Sequence, residues 1–432
     1  MTKVLVTAEA FGFGPASKLH AVCVELARRG IECHFVGVSV AATFAQSNAD
    51  AFASIRTIDA MAELQHIPAD GFDATISVMD PYLALWSSVH GVPCVYVDSL
   101  FWFWQWPTER EDELQDTARR LRSRGGIAEA FAELGAVPMH DSEYVAHYLS
   151  SVSCVQRTPK TTTRTRSLSG LGPIHLVDAV IDLSHRTSAA PTRWLATTSG
   201  LVNSLLPTES AVEWIGAVAQ LVEEAADISG VDEPITFAGN PSVLKLCSGI
   251  ASKRIVPMPL SHGDILCAMN GAVACLTPPG LTTMLECAAY GTPVIMLPEQ
   301  HYGHLSNYEV VTGCGRSEDF PHALINPNAD GPQDHNVLGE TLAVSEQLKL
   351  RFDRRDEVWN RMVSGLADGM RRALCDRQNL QKAQEAAVRK FVGGFSGATQ
   401  VTDVVQALID DGDAAGLYGP AQAQRVHQVR AG

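Results

Sequence analysis

Residues 277–307, "TPPGLTTMLECAAYGTPVIMLPEQHYGHLSN", carry the most informative pattern in the chain. The apolar segment "AVACL" precedes them and leads into a turn of two prolines and Gly280. Apolar residues then recur at helical spacing over residues 281–290. Gly291 ends this helix, and Pro293 opens another buried strand. The stretch therefore predicts a strand, a turn, a helix and a second strand, which is the repeating unit of a parallel α/β sheet.

The predicted helix start is suited to binding an anion. Gly280 allows close approach to the backbone, and the first amide groups, at Leu281, Thr282 and Thr283, have no acceptor inside the helix. Glu286 follows on the same face, about 6 Å along the axis from Thr282 at a rise of about 1.5 Å per residue. This arrangement fits a nucleoside diphosphate, with pyrophosphate at the helix end and ribose hydroxyls on the carboxylate. The alternative is a generic strand–turn–helix in which Glu286 is a solvated helix carboxylate.

Seven residues of this stretch fall at the spacing of the C-terminal signature of GT-B fold glycosyltransferases that use UDP-sugars: Gly280, Thr283, Glu286, Gly291, Pro293, Pro298 and Asn307. The spacing also resembles that of the bacterial enzyme that adds N-acetylglucosamine to a peptidoglycan precursor. The resemblance implies two Rossmann-like doubly wound domains that face each other across a cleft, with a helical C-terminal segment. It also implies that Glu286 binds the ribose and that the turn at residues 280–283 binds the diphosphate.

The same resemblance implies further contacts with the donor, at Ser199, Gly200, Leu260, Ser261, Gln300, His301 and His304. The first two follow the first strand of the second half, and the next two lie in a loop that lines the nucleobase site. The last three belong to the turn that touches the donor sugar. His304 departs from the family, because many members have Gln at this position. The sequence therefore leaves the donor sugar open.

Outside this stretch the chain alternates strand-like and helix-like patterns, which predicts an α/β fold of doubly wound parallel sheets. "KVLVTA" (3–8) is the first strand, and a helix with Ser17 as its N-cap follows a Gly-rich turn. Residues 157–170, rich in Thr, Arg and Ser, predict a surface loop. The predicted domains are an acceptor-binding domain (1–172), a linker (173–192), a UDP-sugar-binding domain (193–365), C-terminal helices (366–411) and a disordered tail (412–432).

Composition limits the class of protein. With 432 residues, 46% hydrophobic and 19% charged, the chain suits two globular domains. A net charge of −15 argues against a nucleic-acid footprint, which needs clustered Lys and Arg. No run of about 18 apolar residues spans a membrane, and no secretory signal precedes the first strand. Ten scattered cysteines predict reduced thiols in a cytoplasmic protein, with no metal site and no cofactor beyond the UDP-sugar co-substrate. A homodimer is compatible with the sequence.

The N-terminal Gly-rich loop, "EAFGFGPAS", resembles the first loop of the same fold, which faces the cleft between the domains. Many members of the family place a catalytic His in this loop, and here Pro15 occupies that position. Glu9 is a candidate base, and Phe13, Ser17 and Lys18 are candidate acceptor contacts. Ser17 as a helix cap and Lys18 as a solvated side chain are equally compatible with the pattern.

Five aromatic residues occupy six positions in "FWFWQW" (101–106), directly after Asp98 ends the strand "PCVYVD". Ligands of open α/β sheets bind outside the carboxyl ends of the strands. We therefore expect Phe101, Trp102 and Trp104 to form a stacking wall for a planar acceptor, in preference to pure core packing. A membrane-surface patch is disfavoured, because the residues that follow are mostly acidic.

The aromatic run, Asp98 and the loop "FGFGPASK" together resemble cytosylglucuronate synthases of nucleoside-antibiotic pathways, including those that act on hydroxymethylcytosine. This resemblance implies attack of cytosine N1 on the anomeric carbon of UDP-glucuronate, with inversion and loss of UDP. Asp98 or Glu9 would remove the proton from the base. Lys18 or His301 would pair with the sugar carboxylate.

Two other functions remain open on the same fold. A UDP-sugar 2-epimerase binds the same donor and needs no acceptor. A non-catalytic glycosyltransferase-like helper protein would bind and activate a partner enzyme. Dependence on an acceptor separates a transferase from an epimerase, and consumption of UDP-sugar separates an enzyme from a helper.

Overall fold

The computed structural model describes residues 1–168, 170–188, 190–198, 208–247, 249–300, 304, 307 and 337–411. These residues form two units. The first unit comprises Met1–Asp182 and the chain from Phe391 onward, and the second comprises Leu183–Lys390. The domain limits given above from the sequence stay a prediction. None of the helices in the described part of the chain is both long and apolar enough to cross a bilayer.

The first unit is built on a sheet of seven parallel strands in the order β3-β2-β1-β4-β5-β6-β7. Its central strands are buried almost throughout, as expected for a parallel sheet covered on both faces. The strand order reverses beside β1, as it does in doubly wound folds. The strands are β1 (Lys3–Ala8), β2 (Glu32–Gly37), β3 (Ser54–Thr57), β4 (Ala74–Val78), β5 (Cys94–Asp98), β6 (Val152–Gln156) and β7 (Ile174–Val177).

Helices cover both faces of this sheet: α1 (Gly14–Arg28), α2 (Ser39–Ser47), α3 (Pro81–His90), α4 (Glu111–Arg122), α5 (Ile127–Leu134), α6 (Met139–Leu149) and α7 (Pro159–Ser167). Two predictions about them are wrong. Helix α1 starts at Gly14, so Ser17 lies inside its first turn and is not the N-cap. Residues 159–167 form a helix and not a loop, because the Thr158 side chain accepts from the Thr161 amide and Pro159 suits the first helical position.

The second unit has five parallel strands in the order β10-β9-β8-β11-β12. They are β8 (Arg193–Thr197), β9 (Ile235–Ala238), β10 (Ile255–Met258), β11 (Ala272–Thr277) and β12 (Val294–Met296). The helices are α8 (Thr208–Ser229), α9 (Pro241–Leu244), α10 (His262–Asn270), α11 (Leu281–Ala289), α12 (Val337–Arg354) and α13 (Glu357–Cys375). Helix α14 (Arg377–Val392) runs across the boundary between the units.

The last described helix, α15 (Gly397–Asp411), belongs to the first unit and packs against α1. Val401 and Val405 are fully buried in the same apolar cluster as Val22 and Leu26 of α1. Arg29 at the end of α1 donates to the Asp403 carboxylate at 2.6 Å. The core of the first unit is therefore completed by a segment more than 200 residues away in sequence.

Candidate functional site

The predicted strand–turn–helix is present in the second unit. Gly280 is the N-cap of α11, and the first helical hydrogen bond runs from the Met284 amide to the Gly280 carbonyl (3.1 Å). The amide groups of residues 281–283 therefore lie ahead of the hydrogen-bonded helix. Strand β11 neighbours β8 where the strand order reverses, so this helix end lies at the position where open α/β sheets bind ligands.

Side-chain contacts hold this turn in place. The Asn307 amide donates to the carbonyl of Pro279 at 3.1 Å. Where β9 and β8 end, the backbone at Gly239 passes so close to Thr198 that a Cβ there would lie 2.4 Å from its Oγ1. Only glycine leaves room for this approach. The carboxyl edge of the second sheet is therefore closely packed at the ends of β8 and β9.

Glu286 is buried, with 5% of its surface exposed, so the interpretation as a solvated helix carboxylate is wrong. Its Oε1 atom lies 3.4 Å from Nε2 of His262, which is also buried. His262 is the first residue of α10, directly after the Ser261 N-cap. His262 directly follows the predicted loop residues Leu260 and Ser261, and its pairing with Glu286 could not be seen from spacing.

The other predicted donor contacts differ in accessibility. Leu260 and Ser261 are partly exposed, and the Ser261 hydroxyl accepts from the Asp264 amide at 3.2 Å as the cap of α10. Gln300 is fully buried and its Nε2 lies 3.5 Å from the Thr198 carbonyl. His304 is buried, and its Nδ1 accepts from the Gln300 amide at 3.1 Å. Ser199, Gly200 and His301 lie outside the described residues.

In the first unit, Glu9 follows β1 at the point where the strand order reverses. Its amide donates to the Val78 carbonyl at 2.9 Å, and its side chain is partly exposed. Burial, together with the nearby carboxylates of Asp80 and Asp98, raises the pKa of Glu9 to about 8. Glu9 is thus a carboxyl group that retains its proton at neutral pH and keeps access to solvent.

Asp80 is a second carboxyl at this edge that the sequence did not single out. It is the N-cap of α3 and accepts from the amides of Tyr82 (3.0 Å) and Leu83 (3.2 Å). Burial raises the pKa of Asp80 to about 6, although these two hydrogen bonds oppose the shift. The residue before it, Met79, has a φ of 56°, a left-handed conformation that is strained for a non-glycine residue. The motif Asp-Pro at a helix start was the available signal.

Asp98 ends β5 as predicted, but its side chain is fully buried. Its carboxylate accepts from the Leu100 amide at 2.6 Å and from the Trp104 indole at 2.8 Å. It also lies 2.9 Å from His147 Nε2, and the other ring nitrogen of His147 lies 2.8 Å from Ser153 Oγ. These contacts organise the aromatic run around Asp98 and leave no exposed carboxylate surface for a substrate.

The aromatic run is mostly interior. Phe101 and Trp104 are 0% and 3% exposed, and Phe101 packs edge-on against His147 at 5.1 Å. Trp102 is also buried, with Lys160 Nζ 5.8 Å from its ring centre. Phe103 is the ring of the run that is partly exposed, and it stacks on His140 at 6.0 Å. Core packing therefore accounts for the three rings that we expected to form a stacking wall, and Phe103 was missed.

The remaining predicted acceptor contacts surround the start of α1. Phe13 is partly exposed and its ring lies 5.5 Å from that of Phe44. Ser17 is buried and donates to the Gly14 carbonyl at 2.9 Å. Lys18 is 3% exposed and its ammonium lies 3.4 Å from the same carbonyl, so it is not a solvated side chain. Phe13 is the one of the three that presents a surface.

In the ranges covered by the structure, no group of three or more His, Cys, Asp or Glu side chains is arranged to hold a metal ion.

A groove of about 530 Å³ lies between α8 and α12, with Ile255 in its lining. Because Ile255 begins β10, this groove lies at the amino edge of the sheet, away from the helix start at Gly280.

Comparison with solved structures agrees with this architecture. A putative UDP-N-acetylglucosamine 2-epimerase from Listeria monocytogenes superposes with a TM-score of 0.56 and 12% identity, over 95% of this chain and 97% of that chain. The glycotransferase of kitacinnamycin (TM-score 0.49, 13% identity, 94% and 99% covered) is a more remote match. So is Phytolacca americana UGT2 in complex with UDP-2fluoro-glucose and pterostilbene (TM-score 0.48, 13% identity, 95% and 100% covered).

The strand topology and the superposition with a TM-score of 0.56 define the class of the fold. The chain has the GT-B architecture, with two Rossmann-like parallel-sheet units and a helical C-terminal segment, as the sequence predicted. At 12% identity this likeness concerns the fold alone. No protein-family model and no curated protein sequence matches the chain.

Proposed function

We propose that the protein is a glycosyltransferase that binds a UDP-sugar in the second unit. The observation that carries this proposal is the helix start at Gly280, with the buried Glu286 one turn further along α11. Backbone amides at a helix N-terminus suit a diphosphate, and a carboxylate held at 3.4 Å from His262 suits the ribose hydroxyls. Ser199, Gly200, Leu260, Ser261, Gln300, His301 and His304 complete the proposed donor set.

The first unit is the proposed acceptor side, with Glu9 as the general base. Glu9 is partly exposed and has a raised pKa, whereas Asp98 is fully buried among three hydrogen-bond donors. A base works best when its pKa lies near the working pH. Asp98 is then better suited to positioning the aromatic run than to accepting the proton.

The acceptor that we propose is a planar nitrogen heterocycle, with cytosine or hydroxymethylcytosine as the first choice and UDP-glucuronate as the first donor. The ring N–H gives its proton to the Glu9 carboxylate, and the ring nitrogen forms a bond to the anomeric carbon. The anomeric carbon–oxygen bond breaks, and UDP leaves with the electron pair and with inversion at carbon. Amides at the start of α11 stabilise the charge that develops on the leaving phosphate. A cytoplasmic location and a place in nucleoside-antibiotic biosynthesis belong to the same proposal.

The test is release of UDP from a panel of UDP-sugars, with and without cytosine. We expect cytosine-dependent release from UDP-glucuronate. Replacing Glu286 with Ala removes hydrogen bonds to the ribose, so we expect the KM for the donor to rise about 10- to 100-fold. Glu209→Gln, at an exposed position of α8 in the same unit, is the matched control. Absence of UDP binding and of release from every donor overturns the proposal.

A UDP-sugar 2-epimerase is the second candidate, because the structure with a TM-score of 0.56 carries that description. An epimerase changes the sugar of its UDP-sugar in the absence of any acceptor. Product analysis of each UDP-sugar incubated without acceptor therefore separates the two activities. UDP binding without turnover in either assay indicates a non-catalytic helper protein.

A further inference from the structure

Two helices of the second unit begin at the same edge of its sheet. Helix α10 follows β10 and helix α11 follows β11, and in a parallel sheet each such helix begins at the carboxyl edge. His262 is the first residue of α10, and Glu286 lies in the second turn of α11. The side chains meet, with 3.4 Å between His262 Nε2 and Glu286 Oε1. This contact therefore lies at the edge of the sheet where open α/β folds bind ligands.

Both members of this contact are buried. The exposed fraction is 9% for His262 and 5% for Glu286. A carboxylate is costly to remove from water unless a hydrogen-bond donor or an opposite charge compensates it, and an imidazole N–H supplies such a donor. The two oxygens of a carboxylate accept about four hydrogen bonds, so a single imidazole orients the group without saturating it.

Helix α10 holds His262 in place independently of Glu286. At its start, the hydroxyl of the N-cap Ser261 accepts from the Asp264 amide at 3.2 Å. Near its end, the Thr292 hydroxyl donates to the Met269 carbonyl at 2.6 Å. The helix is thus fixed at both ends, as required of an element that supports a binding residue.

We propose that His262 is a positioning residue for Glu286, which it holds in the orientation that accepts the 2′- and 3′-hydroxyl groups of a ribose. This inference rests on the proposed UDP-sugar site and deepens it. The donor is then a sugar carried on a ribonucleoside diphosphate. Donors built on 2′-deoxyribonucleotides are rejected, because they leave the buried carboxylate without one of its hydrogen-bond donors.

The alternative role for His262 is purely structural, as the partner that offsets the cost of burying Glu286. The two roles differ in which ligands they affect. Loss of a structural partner weakens the binding of every nucleotide alike. Loss of a positioning residue weakens only those nucleotides whose ribose hydroxyls contact Glu286. UDP and 2′,3′-dideoxy-UDP separate the two roles, because they share the base and the diphosphate and differ only in these hydroxyls.

The experiment is calorimetric titration of both nucleotides into the native protein, His262→Leu and His262→Gln. A hydrogen bond to a charged group changes affinity by about 10- to 100-fold, so we expect the native protein to bind UDP at least about tenfold more tightly than 2′-deoxy-UDP. In His262→Leu the Kd for UDP should rise about tenfold, and the Kd for 2′,3′-dideoxy-UDP should stay within about twofold. Gln places an amide N–H at about the reach of Nε2, so its Kd for UDP should stay within about threefold.

A double-mutant cycle and a matched control make the assignment specific. In a Glu286→Ala protein, His262→Leu should change the Kd for UDP by less than about twofold, because the carboxylate that His262 positions is gone. His185 is a second histidine that contacts α10, with its Nδ1 3.5 Å from Cys267 Sγ. His185→Gln is therefore the control for a general disturbance of this helix, and it should leave the binding of both nucleotides unchanged.

Each outcome has a defined meaning. Equal weakening of UDP and 2′,3′-dideoxy-UDP in His262→Leu, weakening of neither, or equal native affinity for UDP and 2′-deoxy-UDP overturns the positioning role. The expected pattern in a protein that transfers no sugar supports this role and overturns the proposed transfer instead. Absence of UDP binding to the native protein overturns both. If circular dichroism shows that His262→Leu fails to fold, His262→Asn takes its place, because its amide is polar but falls short of the Nε2 position; it should weaken UDP alone.

Discussion

The stability of the first unit in a Glu9→Gln variant, relative to the native protein, should increase as the pH rises. The pKa of Glu9 is raised from 4.5 to about 8 in the folded protein, so the folded state binds its proton more tightly than the unfolded chain does. The contribution of protonated Glu9 is complete below a pH of about 4.5 and is lost as the pH approaches about 8. Gln cannot ionise, so the variant escapes this loss.

The size of the effect follows from the difference between the two pKa values of Glu9. A tenfold change in proton affinity corresponds to about 1.4 kcal/mol, so a pKa that rises from 4.5 to about 8 corresponds to about 5 kcal/mol. Glu9 is partly exposed, and solvent screens its charge, so we expect about half of this figure. The stability of Glu9→Gln relative to the native protein should therefore increase by about 2–3 kcal/mol between a pH of about 4.5 and about 8.5.

The assay is urea unfolding at a series of pH values, with hydrogen exchange of the β1 and β4 amides to restrict the measurement to the first unit. Comparison of the variant with the native protein at each pH cancels the titration of the other groups. Glu109→Gln, at an exposed position of the same unit, is the matched control and should show no trend. A difference that is flat with pH, or that falls as the pH rises, refutes the burial of Glu9 near Asp80 and Asp98.

Two further substitutions test the geometry of each unit. Gly239→Ala places a Cβ 2.4 Å from Thr198 Oγ1, so we expect the free energy of unfolding of the second unit to fall by about 1–3 kcal/mol, measured by thermal unfolding. Gly249→Ala is the control, because a Cβ there meets no atom within 4 Å. Equal losses in the two variants would contradict the close approach at Gly239. His147→Leu leaves Asp98 buried without its imidazole partner, so we expect the free energy of unfolding in urea to fall by about 3–5 kcal/mol. A fall of less than about 1 kcal/mol would show that this pair does not stabilise the first unit.

Much of the fold was predictable because its signals are local. "KVLVTA" matches β1 residue for residue, and residues 281–290 match α11 to within one residue. Both are runs rich in apolar residues, and the helix is followed directly by Gly291, whose φ of 68° suits the end of a helix. The failure at residues 159–167 has the opposite cause. This Thr- and Arg-rich segment has little helical preference of its own, and the stacking of Arg164 on Trp106 helps to hold it as a helix.

The candidate site was only partly predictable. Gly280, Thr283 and Glu286 are close in sequence, so their spacing alone defines their common face. The pairing of Glu286 with His262, by contrast, depends on how α10 and α11 pack together, and the contact of Asp98 with His147 joins β5 to α6. The burial of the aromatic run likewise follows from the packing of α6 against it. Contacts between distant segments of the chain have no signature in a single sequence.

The placement of α15 has a consequence for how the protein is made. Helix α15 supplies Val401 and Val405 to the core of the first unit, but a ribosome synthesises it after the whole of the second unit. The nascent first unit therefore exposes the apolar face of α1 while more than 200 further residues are translated. The second unit, whose residues are contiguous, can close as soon as it emerges. The second unit can therefore complete its folding before the first, although it is synthesised later. In a chain truncated before residue 397, the apolar face of α1 stays exposed.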